Sequence, residues 1–274
     1  MRLFVHHRTE YRFSEPQRRL IQMLRVIPSS FAGQQVIDWQ INVGCDVSMH
    51  PGRDGFGNET TMLYVTGPIE HLSLAVDGEV LTENRNGLVQ ETSETVPPLL
   101  FLRSTPLTLA TPEIRAFAKD VADAEATVLG RAHRLMGELH DRIRFDPDDT
   151  HVHRNAGDAF AEGTGVCQDH AHIFLTAARE IDIPARYVSG HLYRTDGAQR
   201  QPAAHAWIEA YINDFGWIAF DATNCICPGD AYIRVAIGLD YRDAAPLSGT
   251  RSGGGTETLA VGVTVSQAQI QSQN

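Results

Sequence analysis

Cys167 lies where a helix is predicted to begin, after a turn that Gly163 and Gly165 make possible. Apolar residues follow it at helical spacing, and they are Ala171, Phe174, Leu175, Ala178 and Ile181. The unpaired backbone N–H groups of a helix start carry partial positive charge, which favours a thiolate over a thiol. Because a cysteine more often fills a core than reacts, Cys167 needs a partner before it is interpreted as a nucleophile.

His205 and Asp221 are the partners that the sequence offers. Residues 204–212, AHAWIEAYI, and residues 216–222, GWIAFDA, alternate as two strands joined by a short loop. His205 begins the first strand and Asp221 ends the second, so a hairpin brings the two ends side by side. A cysteine nucleophile needs an imidazole, and the imidazole needs an orienting acceptor. Singly, His205 is more often a core residue and Asp221 a turn cap, but together with Cys167 they predict a Cys-His-Asp triad.

The loop between these strands decides which face the two side chains occupy. Residues directly opposite each other in an antiparallel pair share a face. A three-residue loop over 213–215 pairs Ile212 with Gly216. That register places Asp221 on the face of His205, whereas a loop of two or four residues turns it away. The apolar pattern supports the three-residue loop, and a glycine at its end suits the left-handed region. The prediction itself concerns the face: His205 and Asp221 lie on one face within hydrogen-bond reach, with the sulfur of Cys167 on the other side of the imidazole.

The first hundred residues have the pattern of an antiparallel β-sheet protein. Candidate strands occupy residues 18–28, 36–43 and 70–80. In the second of these, polar residues alternate with apolar ones, which are Ile37, Trp39, Ile41 and Val43. The third contains Asp77-Gly78, a pair typical of hairpin turns. We therefore predict an antiparallel β-sandwich-like N-terminal domain over residues 1–100.

Helical and strand patterns mix in the rest of the chain. Thr111 can cap a helix whose first residue is Pro112, and a second helix is predicted from Leu129 to Ile143. Three strand patterns follow the helix of Cys167. Residues 248–255, SGTRSGGG, are predicted to be a flexible loop before a last strand. This order predicts an α+β domain over residues 101–274.

Four segments, taken in order, resemble the transglutaminase-like cysteine enzymes of bacteria, a branch of the papain-like superfamily. They are GTGVCQDHAHIFLTAARE, IPARYVSGHLY, AHAWIEAYI and GWIAFDATN. The resemblance covers about residues 110–245, and the first hundred residues resemble the β-rich domain that precedes this core in one bacterial subgroup. It implies that Cys167 is the nucleophile, His205 the base and Asp221 the residue that orients His205. Family members that cross-link proteins often carry an oxyanion-donating tryptophan before the cysteine. This sequence has none between residue 100 and Cys167, so we predict the backbone N–H of Cys167 as one of two oxyanion donors and assign no residue to the second.

The charge balance argues against nucleic-acid and membrane partners. The chain has 34 acidic and 23 basic residues, a net charge of −11, and no lysine or arginine cluster. No apolar run approaches the ~18 residues of a membrane span, and the alternating N-terminus lacks the apolar core of a signal peptide. Four cysteines in 274 residues do not form a disulfide scaffold. We expect a soluble cytoplasmic protein.

These residues predict an enzyme that cleaves or transfers an acyl group at an amide bond through an acyl-thioester. We expect water as the acceptor and a peptide or protein amide as the substrate, hence a cysteine protease or amidase that needs no cofactor. A protein-glutamine transglutaminase, which transfers the acyl group to an amine, is the main alternative. A non-catalytic binding module is a further alternative, although an intact triad counts against it.

A zinc site is another alternative, with ligands drawn from Cys167, His170, His172, His205, Cys225 and Cys227. The spacing of Cys225 and Cys227 is tighter than that of the usual zinc pair, and His170 and His172 diverge on a helix. We therefore expect no metal. Cys225 and Cys227 are expected to pack in the floor of the domain, unless oxidation joins one of them to Cys167. Glu209, on the His205 face, is either a buried acid or a residue exposed at a strand edge, and we predict the exposed position.

Overall fold

Two antiparallel sheets, a short parallel strand pair and five α-helices build the part of the chain that the computed structural model describes, residues 1–148, 154–196 and 200–268. The strands are β1 (Arg2–Leu24), β2 (Gln34–Val43), β3 (Ser48–Arg53), β4 (Glu59–Thr82), β5 (Leu88–Val89), β6 (Arg144–Phe145), β7 (Thr164–Gly165), β8 (Ala185–Leu192), β9 (Arg200–Gln201), β10 (His205–Ile212), β11 (Gly216–Phe220), β12 (Tyr232–Gly238), β13 (Leu247–Ser252) and β14 (Glu257–Gln267). The helices are α1 (Pro112–Ala124), α2 (Val128–Arg142), α3 (Ala156–Glu162), α4 (Cys167–Glu180) and α5 (Tyr241–Ala244), with a 3₁₀ helix over Pro98–Leu102.

The first sheet has the strand order β2-β4-β1-β14-β9, with β13 also paired to β1 and β3 to β4. Strands β1 and β4 are long and pair along both of their halves, with register shifts between Arg12 and Arg19. The shifts bend the sheet over itself, so that apolar residues from both halves, among them Tyr11 and Leu20, share one core. This is the strand-rich, sandwich-like N-terminal arrangement that the alternating pattern predicted.

The predicted hairpin turn at Asp77-Gly78 is wrong. Strand β4 continues through both residues and pairs with β1 on one side and β2 on the other. A Cβ on Gly78 would lie 2.0 Å from the ring of Trp39 in β2, so the glycine makes room for the indole rather than for a turn. A bulge at Ile37 interrupts the alternation of β2 and leaves that side chain exposed, contrary to the predicted buried face.

The last two strands return to the first sheet. Strand β14 pairs with the first half of β1 and also with β9, and β13 pairs with the second half of β1. The flexible loop predicted over 248–255 is therefore wrong for residues 248–252, which lie in β13. The physical reason is that the backbone N–H and C=O groups along one edge of β1 need hydrogen-bond partners, and residues 247–252 supply them.

The second sheet has the strand order β12-β8-β10-β11-β5, and α4 covers one of its faces. The residues of β10 that α4 covers are buried, and they are Ala206, Ile208 and Ala210. Helices α1, α2 and α3 surround α4, and the parallel pair of β6 and β7 lies just before it. Thr111 caps α1 with its side chain and Pro112 is the first helical residue, as predicted. Within the described ranges, no helix is long and apolar enough to cross a membrane.

Two side-chain amides from the N-terminal region bind the edge of the second sheet. Gln34 donates from Nε2 to the carbonyl of Arg234 at 2.9 Å and accepts the N–H of Arg234 at 2.8 Å. Asn58 makes the same two bonds with the backbone of Ile237, both at 2.8 Å. Each amide takes the place of a neighbouring strand and satisfies backbone groups at the outer edge of β12. The two sheets are therefore joined by specific backbone recognition as well as by apolar contact.

An apolar core also runs across the junction of the two sheets. The first sheet contributes Leu3, Val5, Val80, Val263 and Val265 to the core that surrounds α4. His7 of β1 and His191 of β8 meet at this junction with ring centroids 5.7 Å apart, and both are 3% exposed. Burial lowers the pKa of His7 to about 4 and that of His191 to about 3, so both rings are neutral at pH 7.

Candidate active site

The turn before α4 places Cys167 at the first position of the helix. Gly163 ends α3 with a φ of +69°, in the left-handed region that favours glycine. A Cβ on Gly165 would lie 2.7 Å from the side chain of Asp169, so this position also favours glycine. Asp169 accepts the backbone N–H of Val166 at 2.9 Å, which satisfies one of the unpaired donors at the helix start.

A buried ion pair holds the same turn from the side of α3. Arg154 donates from Nη2 to one carboxylate oxygen of Asp169 at 2.6 Å and from Nε to the other at 3.2 Å. The two side chains are 4% and 1% exposed. Removing one partner of such a pair leaves a buried charge without compensation. The pair therefore fixes Asp169 and, through it, the turn that carries Cys167.

The hairpin of β10 and β11 has the predicted register. Ile212 pairs with Gly216 across a three-residue loop, and Gly216 has a φ of +82°. The ladder continues to Ile208 opposite Phe220. Asp221 is the next residue along β11 and lies on the face of His205, as the count of loop residues required.

His205 lies between Asp221 and Cys167. Its Nε2 is 2.7 Å from Oδ2 of Asp221, and Cys167, which lines the same small pocket as Asp221, is close enough to act on the charge of the imidazole. Burial disfavours the charged ring, but Asp221 and Cys167 outweigh burial and raise the pKa of His205 to about 10. An imidazolium beside the start of a helix is an arrangement that stabilises a cysteine thiolate. The structure thus brings together the three residues that the sequence singled out.

Asp221 is fully buried and accepts hydrogen bonds on both oxygens. Oδ1 accepts the backbone N–H groups of Thr223 at 2.9 Å and Asn224 at 3.2 Å. Oδ2 faces His205 and also accepts the Asn224 side-chain amide and the Tyr232 hydroxyl, each at 2.7 Å. Burial alone would raise the pKa of Asp221, but His205 and the two side-chain donors hold it at about 2. The carboxylate of Asp221 therefore has both of the roles considered from the sequence: it caps the turn that follows β11, and it is the partner of His205.

Two donors to Asp221 were not predicted from the sequence. Asn224 lies in the turn after Asp221, where an Asx turn gives a local signal that could have been used. Tyr232 comes from β12, and no local pattern connects it with the site. Burial and the Asp221 carboxylate raise the pKa of Tyr232 well above its usual range, so its hydroxyl stays a donor. The ring of Trp207 stacks on that of His205, with centroids 6.1 Å apart, and covers the imidazole with an apolar surface.

The prediction that Glu209 is exposed is wrong. Glu209 is 0% exposed and accepts Nε of Arg186 at 2.6 Å and Nε of Arg234 at 2.7 Å. Glu94 accepts Nη1 of Arg234 at 2.7 Å, which completes a neutral group of four buried charges. The alternation of β10 shows which face Glu209 occupies, but the segment that covers this face, including Phe101, comes from far along the chain.

The six candidate zinc ligands do not form a common site. Among residues 1–148, 154–196 and 200–268, no three His, Cys, Asp or Glu side chains are placed to hold a metal ion. All four cysteines are free thiols. Cys225 and Cys227 are half-buried against the core that surrounds α4, as predicted.

Comparisons with known proteins agree with this architecture. Residues 115–222 match the model of the transglutaminase-like superfamily, and residues 3–81 match that of the bacterial transglutaminase-like N-terminal region. An uncharacterized protein of Mycobacterium leprae is 30% identical over 97% of this chain and 99% of its own length. The crystal structure of a candidate cysteine protease from Cytophaga hutchinsonii shares the fold, with a TM-score of 0.77, 22% identity and coverage of 99% of this chain and 92% of that one. A protein-glutamine gamma-glutamyltransferase of Pseudomonas aeruginosa is 27% identical over 51% of this chain and 23% of its own length.

Proposed function

The chain belongs to the transglutaminase-like superfamily, and we propose that it cleaves amide bonds in peptides or proteins with Cys167 as the nucleophile. The observation that carries this proposal is the position of His205, hydrogen-bonded to the Asp221 carboxylate and close enough to Cys167 for the two groups to interact electrostatically. The strongly raised pKa of His205 supports it, because perturbed titrating groups in contact are typical of catalytic sites.

The reaction begins with a Cys167 thiolate and a His205 imidazolium. The sulfur attacks the amide carbon, and the electron pair of the C=O bond moves to oxygen, which the backbone N–H of Cys167 stabilises. The oxyanion then re-forms the carbonyl, the C–N bond breaks, and His205 gives its proton to the leaving amine. A thioester between the acyl group and Cys167 remains.

Water resolves the thioester. Neutral His205 takes a proton from the attacking water, whose oxygen bonds to the acyl carbon. The C–S bond then breaks and releases a carboxylic acid and the Cys167 thiolate, while the proton on His205 restores the ion pair. Asp221 keeps Nε2 of the imidazole toward its carboxylate, which leaves Nδ1 for the sulfur and for the transferred proton.

Water is proposed as the usual acceptor because of its concentration. Water is present at about 55 M, and an amine competes with it only where a site binds the amine and excludes solvent. Transfer to an amine is the second candidate function. The similarity to the Pseudomonas protein-glutamine gamma-glutamyltransferase favours it. The two candidates share every step up to the thioester.

A trapping experiment tests the proposed nucleophile. The enzyme is incubated with a peptide library that includes glutamine-containing peptides, quenched in acid and digested for mass spectrometry. We expect an acyl group on Cys167 and on no other cysteine. Cys167→Ala should abolish turnover, whereas Cys45→Ala, which changes an exposed thiol, should retain it. Turnover that survives Cys167→Ala would reject the proposal.

A further inference from the structure

Two buried histidines on α4 take no part in the chemistry proposed above. His170 is 1% exposed and His172 is 0% exposed. His170 follows Cys167 by one helical turn, a spacing that puts the two Cβ atoms about 5–6 Å apart. His170, Cys167 and Asp221 line the same small pocket. A charge on His170 would therefore act directly on the proposed nucleophile.

Both ring nitrogens of His170 face backbone carbonyl oxygens. Nδ1 is 3.0 Å from the oxygen of Val166, and Nε2 is 3.0 Å from the oxygen of Ile143 at the end of α2. A carbonyl oxygen only accepts, and a neutral imidazole has a single N–H. In either neutral tautomer, one nitrogen would therefore point its lone pair at an oxygen. Only the imidazolium form donates a hydrogen bond to both carbonyls.

His172 lies two residues further along the same helix in the opposite environment. Its Nε2 accepts the backbone N–H of Tyr241 at 3.2 Å, and its Nδ1 has no hydrogen-bond partner among the described residues. Burial lowers the pKa of His172 to about 4, so this ring is neutral. The two rings are almost equally buried, but they face different groups: two carbonyl oxygens surround His170, whereas a backbone N–H faces His172.

The charges around the pocket are consistent with a cation at His170. The neighbouring carboxylate on α4 is already paired with Arg154. Asp221 and a Cys167 thiolate contribute two negative charges, against which His205 supplies one positive charge. A second imidazolium makes this group of four neutral. Buried charges persist in proteins where they are paired in this way.

We propose that His170 is a buried imidazolium that acts as a positioning residue for Cys167. It ties the Val166 carbonyl, in the turn of the nucleophile, to the end of α2, and its positive charge balances the Cys167 thiolate. The second of these roles rests on the proposed function, because it requires Cys167 to react as a thiolate. The first does not.

NMR spectroscopy measures how many protons the His170 ring carries, and it does not require the enzyme to turn over a substrate. In enzyme labelled with ¹⁵N-histidine, both ring nitrogens of His170 should carry a proton at about pH 7.5, whereas His172 should carry one. His170→Gln and His172→Gln assign the two sets of signals. A single ring proton on His170 in the wild type would overturn the proposal, and this reading does not depend on how well the variants fold.

A titration tests the charge itself. His170→Gln keeps N–H donors but removes the positive charge. The thiolate absorbance of Cys167, measured against a Cys167→Ala baseline, should have a midpoint about one pH unit higher in His170→Gln than in the wild type. His172→Gln, at an equally buried site on the same helix, should leave the midpoint unchanged, and equal shifts in the two variants would overturn the proposal. A wild-type enzyme that cleaves no amide would reject the proposed function, while the two ring protons of His170 would still be observed.

Discussion

Tyr232 donates its hydroxyl, at 2.7 Å, to the same carboxylate oxygen of Asp221 that faces His205. Tyr232 belongs to β12, and Gln34 binds the backbone of that strand two residues further along, at Arg234. The orientation of the Asp221 carboxylate therefore depends on a strand that the N-terminal region holds in place. This relationship gives the N-terminal region a part in the geometry of His205.

Loss of the Tyr232 hydroxyl should weaken catalysis without destroying it. In Tyr232→Phe, Asp221 keeps its bonds to His205 and Asn224 but loses one donor, and a hydrogen bond to a charged group contributes about 1.5–3 kcal/mol. We expect kcat/KM to fall about tenfold or more, measured on the best peptide from the library. Tyr211→Phe, on strand β10 of the same sheet, is the control and should have wild-type activity. An unchanged kcat/KM in Tyr232→Phe would show that the hydroxyl does not orient Asp221.

The thiol of Cys167 should react faster than the other three thiols in mildly acidic solution. At about pH 6, where ordinary thiols are protonated, iodoacetamide should label Cys167 ahead of Cys45, Cys225 and Cys227. Peptide mapping after short exposures measures the four rates. His205→Ala should remove the preference, because it removes the imidazolium partner. Equal rates at all four cysteines in the wild type would count against the ion pair.

Added amines should divert little product from hydrolysis. With a reactive substrate and a primary amine at millimolar concentration, we expect the carboxylic acid to dominate over the new amide, as measured by mass spectrometry of the products. The reason is the large excess of water over an amine that has no binding site of its own. A product mixture dominated by amide would replace the hydrolase with an acyl transferase that uses the same thioester.

The amide of Gln34 should contribute strongly to stability. Gln34→Met keeps a similar volume but leaves the buried N–H and C=O of Arg234 without partners, which costs about 2–4 kcal/mol for the two groups. Urea denaturation should show this decrease in the free energy of unfolding. Gln40→Met, at an exposed position of the same strand β2, is the matched control and should change stability little. A similar loss in both variants would mean that the bonds to Arg234 are not the cause.

Stability should fall as the solution is made acidic, partly through His7 and His191. Their pKa values are lowered to about 4 and about 3 in the folded protein, so between about pH 6.5 and those values the unfolded chain binds protons that the folded chain does not. The free energy of unfolding therefore decreases as the pH falls through that window. His191→Phe should reduce the slope by about one proton, measured by urea denaturation at several pH values, and His71→Gln at an exposed site should not. An unaltered slope in His191→Phe would contradict this account.

Local pattern was enough to predict the contact between His205 and Asp221, because strand alternation and loop length are properties of one short segment. Local pattern also predicted that a helix begins at Cys167, because the glycines before it and the apolar spacing after it lie in one short segment. It failed at Asp77-Gly78, where the Trp39 ring from another strand, and not turn formation, explains the glycine. It also missed Tyr232 and the burial of Glu209, since both depend on segments that meet only in the folded chain. Sequence reasoning therefore brought together the three residues that we propose to react, but it missed the residues that support them.

The return of β14 to the first sheet has a consequence for how the protein is made. Residues 257–267 pair with residues 3–13 of β1, so a ribosome must synthesise the whole helical region and the second sheet before the first strand of the protein acquires this partner. Strand β9 ends four residues before His205, and it pairs with Val263 and Thr264 of the same segment. The segment before His205 therefore gains this pairing only after residues 263–264 have been made. A chain that stops before residue 257 therefore lacks the partner of both β9 and the first half of β1.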